Sequence, residues 1–206
     1  GDGLFHMVYA GAMLPAGFVV LDAFFAGVRA LRRNAPASAA RLGLHFVGTG
    51  RSPDDPQGFQ VLPRARDAGV EDLVSEHPHR IGYVDTLNHL TLSDAVLVLG
   101  STEPHYTPSK VFQAILSGRP VLAVLHQESS AVALIRDAKA GLVLTLAETK
   151  LPGAEQIAAA LQTTIERPSF QPVAADPKVF DAYSARESTR KLASALDRAC
   201  MSQVRP

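Results

Sequence analysis

The polar segment Gly100-Ser-Thr-Glu-Pro-His-Tyr-Thr-Pro-Ser-Lys110 carries more groups able to do chemistry than any other stretch of the chain. Its end reads as a helix start. Thr107 can cap, and Pro108 suits the first helical position because its missing N–H would have no partner there. The donors left in that first turn are the backbone N–H groups of Ser109 and Lys110, backed by the helix dipole and the Lys110 ammonium. A diphosphate fits such a cradle. A Thr-Pro-Ser cap also serves a purely structural helix, so the anion reading depends on where the segment sits in the fold. One turn further, Gln113 shares a helix face with Lys110 and can donate to and accept from a ribose diol, although spacing alone fits an exposed glutamine equally well.

Other candidates are sparser. His126 precedes Gln127-Glu128-Ser129-Ser130, a second polar helix start, and is placed to line a site. His77-Pro-His79 is the one close pair of histidines; with no cysteine or carboxylate constellation beside it, it reads as a surface loop, and no metal is expected. His6 and His45 fall within strands and read as core or edge residues.

These residues must be positioned by an alternation of short apolar runs and amphipathic stretches. Strands are expected at 5–10, 42–47, 81–84, 95–99, 121–125 and 142–146. Helices are expected at 18–33, after a surface loop at 51–63 and ending near His77-Pro78, at 85–93, 108–117, 130–140 and 153–166, and as one long final helix over 177–200. This is an α/β pattern: a Rossmann-like doubly wound parallel sheet of about six strands with helices on both faces. Ligands of such sheets bind beyond the carboxyl ends of the strands. That rule selects Gly11, then Gly50 and Arg51, then the Gly100 to Lys110 segment, and His126.

Composition narrows the partner. With 206 residues and 47% hydrophobic content the chain is read as one domain, and 20 basic against 20 acidic residues give no charge excess to attract nucleic acid or an acidic membrane. The single cysteine, Cys200, fits a reducing, cytoplasmic setting. The longest apolar runs are too short to span a bilayer.

The stretch PSKVFQAILSGRPVL, residues 108–122, resembles the donor-site helix of retaining GT-B glycosyltransferases of the family 4 type. Val47-Gly-Thr-Gly50, Ile81-Gly-Tyr-Val84 and Leu92-Ser-Asp-Ala-Val96 agree with the same pattern, over about residues 5 to 200. The resemblance implies the carboxyl-terminal domain that binds a nucleoside diphosphate sugar without a metal. Ser109, Lys110 and Gln113 would hold diphosphate and ribose, with Thr107, Gly11, Gly50, Tyr83 and Val84 around them. Two departures stand out. The family's two glutamates, eight positions apart, are His105 and Gln113 here, with Glu103 a substitute for His105 if the loop is shifted. The family's basic pair after the first strand is absent, since the next basic residue beyond Gly11 is Arg29, so neutralisation would fall to Lys110, Arg51 and the helix start.

The resemblance further implies a separate amino-terminal domain for the acceptor, carrying the catalytic groups. Gly1-Asp-Gly3 reads as a truncation, and the final helix would cross towards that domain, leaving Val179, Phe180, Tyr183, Leu192 and Leu196 partly orphaned. Such a chain is expected to bind nucleotide weakly and transfer no sugar alone; a whole enzyme could sit peripherally on the inner membrane. The alternative reading is a degenerate, non-catalytic GT-B module that scaffolds polysaccharide assembly. An epimerase of the same architecture stays open. A flavodoxin-like regulatory domain needs acidic residues after the first strand, and residues 5–13 have none.

Overall fold

The computed structural model describes residues 2–50, 58–148, 150–167 and 177–202. Six strands, β1 (Phe5–Ala10), β2 (Leu42–Val47), β3 (Val74–His77), β4 (Ala95–Leu99), β5 (Val121–His126) and β6 (Gly141–Leu146), form one sheet in the order β3-β2-β1-β4-β5-β6. Every pairing is parallel, as in Met7↔Ala95 and Leu97↔Leu122. The chain winds outward from β1 in one direction and then from β4 in the other, which makes this an α/β Rossmann-like fold.

Alternate residues of each central strand feed two cores. Ala95, Leu97 and Leu99 of β4 join Phe24, Phe25 and Leu31 of α1 (Phe18–Asn34) and Ile157 and Leu161 of α7 (Ala154–Ile165). Val96 and Val98 face the other way, onto Leu90 of α4 (Tyr83–Leu92), Val111 and Ile115 of α5 (Lys110–Leu116) and Ile135 of α6 (Ser130–Asp137). β4 and β5 are buried along their whole length, which is why they carry unbroken apolar runs. Pro36–Ala39 adds a short helix, α2, and α3 spans Val61–Asp67.

The third strand corrects the sequence expectation. It is Val74–His77, whereas residues 81–84 run into the start of α4, and the helix expected to end near His77 ends at Asp67. The cause is Glu76. Its side chain turns inward and caps α3, accepting the N–H groups of Gln60, Val61 and Leu62 at 3.1, 2.9 and 2.9 Å and the Thr49 hydroxyl at 2.6 Å. A carboxylate on the covered face of an edge strand hides the strand from any hydrophobic pattern. The long final helix is also broken, into α8 (Pro177–Asp181) and α9 (Ala185–Ser202), at a turn where the Ser184 hydroxyl donates to the Asp181 carbonyl at 2.8 Å and accepts the Glu187 N–H at 3.2 Å. Val179 and Phe180 pack against the second core and the Tyr183 ring lies 5.4 Å from that of Phe112, so of the residues expected to be orphaned Leu192 and Leu196 are the most exposed.

Candidate functional site

The strand order reverses between β1 and β4, and their carboxyl ends diverge there to open a cleft of about 280 Å³. Gly11, Tyr83, Tyr106, Ser109, Lys110 and Gln113 are among its lining residues. α5 belongs to one face of the sheet and the Tyr9 ring to the other, yet the Lys110 Nζ sits 3.8 Å from the centre of that ring. The lysine therefore reaches across the carboxyl edge of the sheet, over Gly11. Glycine suits this position: a Cβ at Gly11 would crowd the Nζ at 3.3 Å, and its φ of 111° is one that L residues rarely adopt.

The Lys110 ammonium is sealed from solvent without a hydrogen-bond partner among the described residues, although the side chain as a whole is half-buried. Burial pushes it down to about 7. The ring face of Tyr9 offers a cation–π contact, which offsets part of that cost. The Tyr9 hydroxyl donates to the Ala12 carbonyl at 3.2 Å, and burial, helped by Tyr106, pushes its ionisation up. Tyr106 is likewise pushed up by burial and then by Glu103. Both phenols are thus neutral neighbours of the lysine.

Gln113 lines the cleft; with its amide oriented to satisfy its hydrogen bonds, its nitrogen donates to the Ser109 carbonyl at 2.9 Å, leaving the oxygen to accept. Thr107 does not cap α5. Ser109 holds that position with no side-chain bond, and the Thr107 hydroxyl is instead 2.9 Å from that of Ser130 and 3.4 Å from that of Ser129, at the start of α6. The physical reason is local: the Val111 N–H bonds back to the Pro108 carbonyl at 3.0 Å, so a tight turn precedes the helix and carries Thr107 away from it.

Glu103 and His105 are exposed and stand outside the cleft lining, the former accepting from the Ser101 hydroxyl at 3.2 Å. Gly50 is committed to structure, its N–H donating to the Pro78 carbonyl at 2.9 Å. Tyr83 overhangs the cleft mouth while remaining 66% exposed; its neighbour Val84 faces solvent. Arg51 lies outside the described residues. His126 is buried away from the cleft, with Nδ1 accepting the Glu128 N–H at 3.3 Å. Among the described residues no group of three or more metal-ligating side chains comes together, His77 and His79 included, and no helix is long and apolar enough to cross a membrane.

Sequence reasoning missed Tyr9 and Tyr106 as walls of the lysine's pocket, and it missed Arg80. This arginine lines a smaller cavity of about 190 Å³ that adjoins the cleft at Gly11. A cation in a carboxyl-end loop was the signal, and it was lost because the third strand was expected after residue 80 instead of before it.

No protein-family model and no curated protein sequence matches the chain. Solved structures do. The α,α-trehalose 6-phosphate synthase of Burkholderia multivorans aligns with a TM-score of 0.70 at 15% identity, covering 99% of this chain and 45% of that one. Anabaena Alr3699/HepE, crystallised with UDP and glucose, aligns with a TM-score of 0.67 at 16% identity over 95% of this chain and 49% of its own. The GtfA/B complex gives a TM-score of 0.60 at 18% identity, covering 95% and 36%. The chain thus spans less than half the length of each of these neighbours, and over that length it shares their Rossmann-like fold.

Proposed function

We propose that the cleft between β1 and β4 binds the diphosphate of a nucleoside diphosphate sugar, and that the chain is the donor-binding unit of a glycosyltransferase. The observation that carries this reading is Lys110: an ammonium held without a partner beside the bare backbone of Gly11, at the switch point where open parallel sheets take ligands. Native structures seldom leave a buried charge unpaired, and an anion supplies what is missing. A short swing of the flexible stem brings the ammonium from the Tyr9 ring to a phosphate. Ser109 heads the same helix, the Gln113 oxygen is left for a ribose hydroxyl, and Tyr83 and Tyr106 offer faces for a base. The fold shared with a protein crystallised with UDP-glucose supports the choice of ligand. On this reading a second unit supplies the acceptor, and the donor needs no metal.

His105 and Gln113, in place of the two glutamates of the family it resembles, favour a second reading: a module that binds nucleotide without transferring sugar. Binding is common to both, so it is tested first. Titration with UDP, GDP, ADP and dTDP and their sugars at pH 6.5 should identify one preferred nucleotide. Lys110→Met should weaken that ligand by about ten- to a hundred-fold, as loss of a charge-assisted hydrogen bond implies. Equal affinity of variant and wild type would place the site elsewhere.

A further inference from the structure

The smaller cavity shares Ala10, Gly11, Ala12 and Thr86 with the main cleft and adds Gly48 and Arg80. The loop that carries Arg80 is pinned on both sides. The Gly48 and Gly50 N–H groups donate to the carbonyls of His77 and Pro78 at 2.8 and 2.9 Å, and beyond the arginine both the N–H and the hydroxyl of Thr86 donate to the Gly82 carbonyl at 3.0 Å. Arg80 is thus delivered to the rim of the Gly11 backbone by fixed structure. Its guanidinium is exposed and has no hydrogen-bond or ion-pair partner among the described residues, whereas Arg32, Arg33, Arg64, Arg66 and Arg190 are each held by a carboxylate. Among the described residues no aspartate or glutamate lines either cavity. Two cations from different elements, Lys110 on α5 and Arg80 before α4, therefore border one glycine.

We propose that Arg80 holds the second phosphate of the ligand and so selects a diphosphate over a monophosphate, an inference that rests on the cleft being a nucleotide site. Two adjacent phosphates laid over Gly11 would meet one cation each, and the planar guanidinium can take two oxygens of one phosphate at once. A single phosphate is served by Lys110 alone. The substitution is benign to the fold because the side chain is exposed and makes no internal bond.

The test compares wild type and Arg80→Gln for UDP, UMP and uridine by calorimetry, with competition for the weaker ligands. Affinity for UDP should fall about ten-fold in the variant, while UMP and uridine change by less than about two-fold; unchanged uridine binding also reports an intact site. Unchanged UDP affinity overturns the proposal, and so does an equal loss for UMP, which would put Arg80 on the first phosphate. If wild type binds neither UDP nor any other nucleotide of the wider panel, the functional reading itself fails, and Arg80 with it.

Discussion

Enclosure by a tyrosine ring, a glycine backbone and apolar strand ends disfavours the charged form of Lys110, and burial pushes its ammonium down to about 7. An unfolded lysine titrates near 10.4, so between about 7 and 10.4 the unfolded chain binds more protons than the folded one, and stability rises with pH across that window. Ligand binding runs the opposite way. A diphosphate needs the charged form, which is present in the folded protein below about 7 and lost as pH rises above it. Affinity for UDP should therefore fall between pH 6.5 and 8.5, by at most about ten-fold per pH unit. Tyr9 and Tyr106, the titratable groups beside the lysine, are both pushed up and stay neutral throughout. Calorimetric titration of wild type and Lys110→Arg across this range checks the assignment: the arginine variant should lose the slope, and a flat wild-type profile, or a slope retained in the variant, would overturn it.

At the scale of elements, the sheet depends on how closely α1 and α7 approach over its first face. A Cβ at Gly27 would overlap the Cβ and Cγ2 of Ile157, atoms too near their own backbone to move aside cheaply. Helix propensity alone favours alanine over glycine by about 1 kcal/mol, whereas overpacking of a close seam costs about 1–3 kcal/mol. Gly27→Ala should accordingly lower the unfolding free energy in urea; a gain would show that the seam has room. Glu76 makes the same point about β3. Val74-Ser-Glu-His77 is too polar to announce a strand, and it becomes one because β2 offers an edge while its carboxylate satisfies the amino end of α3. Propensity and periodicity describe a segment by itself, and these two contacts join segments far apart in the chain.

The whole molecule places its crevice where the two halves of the sheet diverge and sends its last helix away from both cores. Leu192 and Leu196 of α9 are 61% and 58% exposed, facing outward while Glu187 and Ser194 on the opposite side are half-covered. Leu192→Glu combined with Leu196→Glu should shift the midpoint of thermal unfolding by no more than about 2–4 °C, since substitutions on an open surface change stability by about 0.5 kcal/mol each. A larger drop would mean that these leucines support the folded chain itself. The sequence by itself determined the α/β class, five of the six strands and the importance of the segment ending at Lys110, because buried parallel strands need unbroken apolar runs and helices need amphipathic ones, and both are local signals. Tertiary structure decided the rest. Lys110 becomes a buried, unpartnered cation only when β1 brings Tyr9 and Gly11 beneath it, and Arg80 reaches the cavity beside Gly11 only once β3 is paired to β2. Each depends on residues distant in sequence whose contact exists only after the sheet has formed.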